Sequence, residues 1–463
     1  MKEEAVLDVR RQRLLDPLFT TETMRGIFSD HGRVQAMLDF EAALARAEAR
    51  AGVVPGAAAA AIGGECRADF FDLDALAAGA AMAGNPAIPL INQLTARVAA
   101  VDPDAARYVH WGATSQDAMD TGLVLQLRSA LTSIEADLSR LSAALAALAR
   151  AHARTPLAGR TWLQQGPPVT LGLKAAGFLS AIERHRSRVA DLGERIATLQ
   201  FGGAVGTLAA LGDRAMEVAA ALADELQLAL PDLPWHAQRD RVAEVATTLG
   251  LIVGTLGKLG RDVSLLMQTE VAEAFEPSTP GRGGSSTMPH KRNPVGSAVM
   301  LAAAVRVPPL VATMLAAMVQ EHERALGGWQ AEWDTLPEIC MLAGGALARA
   351  IEVVEGLQLD SAQMSANLEA THGLILAESV ATALGAKIGK MKAHELLEEA
   401  SARAVRERRH LREVLEADER ISAHLKPVDL EQLLDPRHYT GQSAAWVERA
   451  LNARKRERDG DDD

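Results

Sequence analysis

Residues 124–148 read VLQLRSALTSIEADLSRLSAALAAL. Apolar side chains recur in this segment at alternating steps of three and four: Val124, Leu127, Leu131, Ile134, Leu138, Leu141, Leu145 and Leu148. This spacing places them along one face of an α-helix, at the a and d positions typical of helices that pack in bundles. At about 1.5 Å per residue the helix is roughly 35 to 40 Å long. We therefore predict a long helix whose apolar face packs against other helices.

Similar apolar faces occur farther along the chain. They comprise Leu179, Ile182, Val189, Leu192, Ile196 and Leu199; then Val242, Val245, Leu249, Ile252, Leu256, Leu259, Val263 and Leu266; and finally Ile339, Leu342, Ile351, Val354 and Leu357. Aromatic residues make up only 3% of the chain, and a core built from Ala, Leu, Val and Ile favours helices over strands. Loops with Gly and Pro interrupt the pattern, which argues against a coiled-coil rod. We find no alternation of strands and helices, so a Rossmann fold or β/α barrel is not expected.

The composition and charge narrow the class of protein. The chain has 463 residues, of which 48% are apolar and 23% are charged, as in a globular protein with a large core. The formal net charge of −12 argues against general nucleic-acid binding. An anionic substrate would therefore require a local basic site.

The cysteines and the N-terminal residues bear on the cellular compartment. Cys66 and Cys340 are far apart and have no metal-like spacing, so we expect no disulfide framework and a reducing cytoplasm. Residues 1–15 are charged and do not have the apolar segment of a signal peptide. We also expect no membrane contact, because no uncharged apolar stretch reaches the length that spans a bilayer.

The segment GRGGSSTMPHKRNP, residues 281–294, is the candidate basic site. Its glycines precede the hydroxyls of Ser285 and Ser286, and the cationic run HKR follows. The final NP is typical of an N-cap followed by proline at the first helical position. Because a helix N-terminus favours anions, the segment is predicted to bind one. The glycine spacing and the residues after Lys291 do not fit a phosphate-binding P-loop, while a mobile surface loop stays an alternative.

Within this segment, residues 284–294 match the signature loop of the fumarase/aspartase superfamily, G-S-S-x-M-P-x-K-x-N-P, at every specified position. HWGATSQD, residues 110–117, resembles the H-x-G-x-T-S-x-D segment of adenylosuccinate lyases. GRTWLQ, residues 159–164, resembles the G-R-T-H-x-Q segment of the lyases. From about Phe19 to Trp446 the chain is similar to the bacterial 3-carboxy-cis,cis-muconate cycloisomerases, a group within this superfamily.

The resemblance implies an all-α, three-domain fold with a central long-helix bundle. The expected parts are an N-terminal helical domain over residues 1–111, the bundle over 112–360 and a C-terminal helical domain over 361–463. It also implies a homotetramer in which three subunits build each active site, and a reaction that uses neither a metal ion nor an organic cofactor. The expected partner is a small tricarboxylate substrate, with no nucleic acid and no membrane.

The resemblance also implies roles for individual residues. Ser285 corresponds to the proton-transferring serine of the superfamily, and Lys291 to a position that polarises the activating carboxylate. His110 matches a histidine of the adenylosuccinate lyase site, so either Ser285 or His110 is expected to deliver the proton. The expected substrate-binding residues are Thr114, Ser115, Arg160, Thr161, Trp162, Gln164, Arg239, Ser286, Asn293 and Arg324.

Trp162 stands where many lyases of the superfamily have a histidine that protonates the leaving amine or hydroxyl. Its indole N–H donates a hydrogen bond but cannot supply a proton for acid catalysis. A carboxylate, with an ordinary pKa of about 4, is already a stable anion at neutral pH and needs no such proton. Trp162 therefore fits a cycloisomerase, in which a carboxylate adds to a double bond, although simple packing is the alternative interpretation.

The expected reaction is the conversion of 3-carboxy-cis,cis-muconate to carboxymuconolactone in protocatechuate breakdown, the β-ketoadipate pathway. A lyase that eliminates another stable anion, as nitrosuccinate lyase does, is an alternative that Trp162 allows equally. A catalytically silent structural member of the superfamily is a second alternative, which the intact signature loop disfavours. Zinc chemistry is not expected at His322-Glu323, because residue 326 is leucine and the H-E-x-x-H motif is incomplete.

Overall fold

The computed structural model describes residues 13–278, 283–284, 288 and 290–460. Its α-helices are α1 (Asp16–Phe19), α2 (Glu22–Ile27), α3 (Asp30–Arg50), α4 (Gly56–Glu65), α5 (Leu73–Ala83), α6 (Ala87–Val101), α7 (Ser115–Ala151), α8 (Leu171–Ile196), α9 (Ala215–Leu226), α10 (Asp240–Leu266), α11 (Val295–Ala317), α12 (Gly328–Glu355), α13 (Ser361–Glu369), α14 (Ala377–Ile388), α15 (Lys390–Glu407), α16 (Leu411–Glu416), α17 (Glu419–Ser422), α18 (Pro427–Leu433) and α19 (Ser443–Gly460). Short 3-10 helices span Ala68–Phe70, Ala105–Tyr108, Gly203–Val205, Ala209–Arg214, Leu374–Leu376 and Pro436–His438. The prediction of an all-α fold is confirmed.

The chain divides into two compact units. The first comprises Met1–Leu138, His185–Gly257 and Val299–Arg349, and the second comprises Ser139–Arg184, Lys258–Ala298 and Ala350–Asp463. One core of the first unit is formed by α3, α4 and α6, and one core of the second by helices α14 to α18. The long helices α7, α8, α10, α11 and α12 contribute residues to both units. The division into three domains at residues 111 and 360 stays a prediction.

The apolar faces predicted from the sequence are the buried faces of the long helices. In α7, every predicted position from Val124 to Leu145 is buried, and Leu148 is partly buried. The predicted positions of α8 and α12 are likewise buried, apart from Leu357, which follows the end of α12. Helix α7 has 37 residues, so it is about 55 Å long and exceeds the predicted length, because it begins at Ser115 within the expected loop.

The segment around Trp162, expected to be a loop, forms a β-hairpin. Strand β1 (Pro156–Thr161) pairs antiparallel with β2 (Gln164–Thr170), and Thr161 lies opposite Gln164. The two turn residues, Trp162 and Leu163, have φ angles of 52° and 65°, as the two central residues of a type I′ turn require. The sequence does not contain the Asn-Gly or Asp-Gly pair that usually marks such a turn, so the hairpin was missed. A second small sheet pairs β3 (Ala274–Phe275) with β4 (Gln358–Leu359).

Two helices, α10 and α11, are long and apolar enough to cross a membrane by length and composition alone. Both contain charged residues, so neither has the uncharged stretch of spanning length that the sequence analysis considered. Core helices of soluble proteins are often equally long and apolar, and 61% of the most apolar part of α10 is buried. In α11 only 28% is buried, so a single chain leaves much of its apolar surface uncovered.

Glu48 on α3 is a carboxyl group enclosed in the protein. It is completely buried, and neither side-chain oxygen has a hydrogen-bond partner among the described residues. Burial, with a smaller contribution from the charge of Glu41, raises the pKa of Glu48 to about 9. Glu48 is therefore protonated in the folded protein at neutral pH.

This raised pKa predicts that Glu48→Gln stabilises the protein at alkaline pH. An acid whose pKa is higher in the folded state stabilises it fully below its unfolded pKa, near 4.5, and loses that contribution as the pH rises toward 9. At pH 8 we expect the variant to unfold with a higher free energy, by at most about 5 kcal/mol, and at pH 4 we expect no difference. Urea unfolding at both pH values measures this. Asp232→Asn, at an exposed carboxylate, is the control, and equal stability of Glu48→Gln and wild type at pH 8 would contradict the prediction.

Candidate active site

The residues expected at the site fall into two groups, one in each compact unit. His110, Thr114, Ser115, Arg239 and Arg324 belong to the first unit. The second unit contains Arg160, Thr161, Trp162, Gln164, Lys291 and Asn293. Ser285 and Ser286 lie outside the described residues, so their predicted roles stay predictions.

Asp117 organises the first group, and its importance was not recognised from the sequence beyond the motif match. It is completely buried in the first turn of α7. Its carboxylate accepts hydrogen bonds from the backbone N–H groups of Thr114, Gly202 and Gly203 and from the side chains of Gln200 and His236. Several N–H donors on one carboxylate give strong, charge-assisted bonds. Asp117 therefore fixes the start of α7 to the loop after α8, and its side chain is not available to a substrate.

Arg324 contacts the motif at residues 110–117, as expected. Its guanidinium donates hydrogen bonds to the hydroxyl of Thr114 at 2.8 Å and to the side-chain oxygen of Gln116 at 3.2 Å. Arg324 is only half-buried, so part of the cation stays accessible. This arrangement places a positive charge and a hydroxyl side by side, which suits a carboxylate ligand.

Arg239 is linked to Arg324 through Gln116, which accepts from Arg324 and donates to Asp120, but Arg239 has different surroundings. It is 2% exposed and forms ion pairs with Asp120 at 2.7 Å and with Glu332 at 2.5 Å. Since its guanidinium is enclosed by these two carboxylates, the geometry favours a supporting role over the expected contact with substrate. No sequence pattern indicates this pairing, because Asp120 and Glu332 are more than 90 positions from Arg239 along the chain.

The buried ion-pair cluster has one cation for two carboxylates. Further hydrogen bonds compensate: the indole N–H of Trp329 and the amide of Gln116 donate to Asp120, and the amide of Gln320 donates to Glu332. Burial raises the pKa of Glu332 despite the attraction of Arg239. The pKa of Arg239 is itself raised, because the two carboxylates outweigh its burial. The cluster therefore depends on the guanidinium being present.

His110 is paired with a carboxylate that sequence reasoning missed. Its Nδ1 lies 2.6 Å from Oε1 of Glu41, a residue of α3 that is 1% exposed. Burial lowers the pKa of His110, but the charge and hydrogen bond of Glu41, together with the charge of Asp117, outweigh burial and raise it. The imidazolium form, which can give up a proton, is thereby favoured.

In the second unit, Arg160 is held by a buried carboxylate. Its two terminal nitrogens donate to both oxygens of Glu273, at 2.8 and 2.7 Å, and Glu273 is completely buried. The amide of Asn367 donates to the same carboxylate at 2.8 Å. Glu273 therefore orients the guanidinium of Arg160, a residue of strand β1, and accepts much of the hydrogen bonding that this guanidinium can offer.

The remaining residues of the hairpin motif lie at its tip. Thr161, Trp162 and Gln164 are all exposed, and Trp162 has 97% of its surface accessible. The described residues of a single chain therefore do not enclose these side chains.

The base of the signature loop is closed by its own backbone. The N–H of Asn293 donates to the carbonyl of Gly283 at 2.9 Å, and Gly284 bridges to Arg292. Gly283 has a φ of 64°, and a Cβ there would lie 2.7 Å from the carbonyl oxygen of Asn293. The close approach and the positive φ both require glycine at this position. Lys291 is exposed next to this closure.

The predicted anion site at the following helix is filled by the chain itself. Glu276 accepts hydrogen bonds from the backbone N–H groups of Gly296 and Ser297, at 2.8 and 2.7 Å, in the first turn of α11. The prediction that this N-terminus binds a substrate anion is therefore wrong for these two N–H groups. Arg292 is also engaged, since its guanidinium donates to the carbonyl of Glu276 and stacks over Phe275. The helix begins at Val295, one residue after the expected start.

Carboxylates, imidazoles and the two thiols are the side chains of this protein that could bind a metal ion. Among the described residues, no three or more His, Cys, Asp or Glu side chains are arranged to hold a metal ion. Cys66 and Cys340 are both free and buried.

Comparison with known proteins assigns the chain to a protein family. A family profile described as "Lyase" matches residues 19–308, and one described as "Adenylosuccinate lyase C-terminus" matches residues 373–450. A nitrosuccinate lyase of Streptomyces davaonensis is 43% identical over 95% of this chain and 94% of its own length.

Higher identity is found with cycloisomerases. A 3-carboxy-cis,cis-muconate cycloisomerase of Pseudomonas aeruginosa is 62% identical over 444 residues, which cover 96% of this chain and 97% of the relative. The crystal structure of 3-carboxy-cis,cis-muconate lactonizing enzyme from Pseudomonas putida is 57% identical, with a TM-score of 0.93 over 96% of this chain and 99% of that one. The chain therefore belongs to the lyase family of the fumarase/aspartase superfamily, within its group of 3-carboxy-cis,cis-muconate cycloisomerases.

Proposed function

We propose that this chain is an enzyme that converts 3-carboxy-cis,cis-muconate to carboxymuconolactone in protocatechuate breakdown. The observation that carries the proposal is the 62% identity, over 96% of the chain, to an enzyme named for this reaction. The complete signature loop supports it, because a catalytically silent relative has no need of those residues. Such a metabolic role fits a cytoplasmic protein, which we also propose.

The reaction begins when one carboxylate of the substrate adds to the conjugated double bond. Negative charge then develops on the α-carbon and on its own carboxylate group. Lys291 and Asn293 stabilise this charge, as the resemblance implies, and Arg324 with Thr114 holds a second carboxylate. Holding the tricarboxylate in one orientation brings the attacking oxygen close to the double bond.

The last step places a proton on the α-carbon, with Ser285 or His110 as donor. The pairing of His110 with Glu41 supports His110, because an imidazolium is an acid suited to neutral pH. No acid is needed at the attacking carboxylate, which is already ionised. This explains why the exposed Trp162 can occupy the place of a histidine in other lyases.

We propose that the enzyme is a homotetramer whose subunits share their active sites. The uncovered apolar surface of α11 supports this, since Val305 is 76% and Leu315 is 48% exposed. The tip of the hairpin, with Trp162 and Leu163, is a second apolar surface that a neighbouring subunit would cover. Sedimentation or light scattering should give four times the mass of one chain, and a monomer would contradict the shared site.

The activity is tested with EDTA-treated protein and 3-carboxy-cis,cis-muconate. The ultraviolet absorbance of the conjugated diene should fall as the lactone forms, and the rate should not depend on added metal. A folded tetramer that leaves the diene unchanged would contradict the proposal. Nitrosuccinate would then be the next substrate, because a nitrosuccinate lyase is 43% identical to the chain and Trp162 allows the departure of a stable anion equally well.

A further inference from the structure

We infer that Glu41 is a positioning residue that orients His110 and keeps it in its proton-donating form. The inference rests on the proposed function, since it gives His110 the final proton transfer. Glu41 lies on α3 and is separated from His110 by 69 positions in the chain, so only the fold brings the pair together.

The contact is built into the packing of two helices. Glu41 and the neighbouring Phe40 on α3 are both buried. At Gly122 on α7, a Cβ would lie 3.2 Å from backbone atoms of Ala36 and Met37. The absence of a side chain at Gly122 thus allows α3 to approach α7 closely, which fixes the backbone of α3 one turn before Glu41.

His110 itself has an unusual backbone. Its φ of 59° lies in the left-handed region, which costs a residue with a side chain about 1 kcal/mol or more. Surrounding contacts must compensate for such strain, and among the described residues the 2.6 Å hydrogen bond to Glu41 holds the imidazole. This bond sets the direction of the ring four residues before Thr114, whose hydroxyl accepts a hydrogen bond from Arg324.

The bond to Glu41 also decides which nitrogen can react. Because Nδ1 donates to the carboxylate, Nε2 is left as the nitrogen whose proton can be transferred. That proton moves to the α-carbon of the intermediate, the electron pair of the aci-carboxylate forms the new C–H bond, and a neutral imidazole remains. A proton from solvent then restores the imidazolium for the next turnover.

The charged groups around His110 favour the same protonation state. Glu41 faces it from α3 and Asp117 from α7. Two more titratable residues lie next to these carboxylates. His236 is hydrogen-bonded to Asp117, and Glu48, which interacts with Glu41, is neutral at pH 7 because its pKa is raised. Removing the negative charge of Glu41 should therefore lower the pKa of His110.

The test compares Glu41→Gln and Glu41→Asp with wild type and with Asp39→Asn, at an exposed carboxylate of the same helix. We expect Glu41→Gln to lower kcat at least about tenfold at pH 7.5, to move the alkaline limb of the kcat profile to lower pH by about one unit, and to leave KM nearly unchanged. Glu41→Asp should recover part of the loss, and Asp39→Asn should behave as wild type.

A readout without turnover separates this inference from the proposed function. In protein labelled with [13C]histidine, the His110 signal, assigned by its absence in His110→Asn, should titrate at lower pH in Glu41→Gln than in wild type. An unchanged titration, or an alkaline limb that stays in place, would overturn the role of Glu41. Wild type that titrates as expected but does not turn over the substrate would instead overturn the proposed function. Thermal melts and the mass in solution identify any variant that fails to fold. If Glu41→Gln does not fold, the His110 titration and the kcat profile of Glu41→Asp test the role of Glu41 instead.

Discussion

Replacing Ser285 by alanine should lower kcat by about 10²- to 10⁴-fold and leave the fold unchanged. The resemblance gives Ser285 the proton-transferring role of the superfamily's signature loop. The described parts of the loop support a small structural effect, because its base is closed by a hydrogen bond between two backbone groups, the N–H of Asn293 and the carbonyl of Gly283. Steady-state kinetics with 3-carboxy-cis,cis-muconate, together with a thermal melt of the same sample, measure both expectations.

The control for Ser285→Ala is Thr287→Ala, at one of the three positions that the superfamily motif leaves unspecified. It removes a hydroxyl two residues away and should change kcat little. Activity near that of wild type in Ser285→Ala would remove the serine from the reaction and leave His110 as the donor. If the two residues act in one proton transfer, the double variant Ser285→Ala/His110→Asn should lose little more than the more damaging single variant.

Most of the helical architecture could be predicted from the sequence, because a buried face with a period of three to four residues leaves a clear pattern. The seam of α7 from Val124 to Leu145 is the best example, since every predicted side chain is buried. The hairpin around Trp162 could not be predicted. Its two turn residues, Trp162 and Leu163, have positive φ angles, but neither is of a type that favours them, so the turn has no local sequence signature.

The candidate site was predictable only where motifs point to it. The motif match led to Thr114 and Arg324, which the structure brings within 2.8 Å of each other. The motifs gave no indication of Glu41, Glu273 and Glu276, because each acts through a partner far away in sequence or through backbone N–H groups. A buried carboxylate in a helix has no local signature, so such supporting residues appear only when the helices are packed.

Arg239→Ala should destabilise the protein by about 3 to 5 kcal/mol, the largest loss of stability that we expect. The substitution leaves the carboxylates of Asp120 and Glu332 buried without their cation. Arg241→Ala, two residues later in the first turn of α10, is the matched control. Arg241 donates one hydrogen bond to a backbone carbonyl and is half-buried, so we expect a loss of about 1 kcal/mol or less.

The pH dependence identifies the cause of this destabilisation. Without Arg239, both carboxylates should have raised pKa values in the folded state, so the variant loses stability as the pH rises. The difference from wild type should therefore be smaller at pH 5 than at pH 8 in urea unfolding. Adding Asp120→Asn and Glu332→Gln to Arg239→Ala should recover much of the loss, because no buried charge then remains unpaired.

A loss that is equal at both pH values would point to packing as the cause. A stable Arg239→Ala variant with a raised KM would instead return Arg239 to the substrate, since a residue that binds a carboxylate changes affinity without being needed for folding.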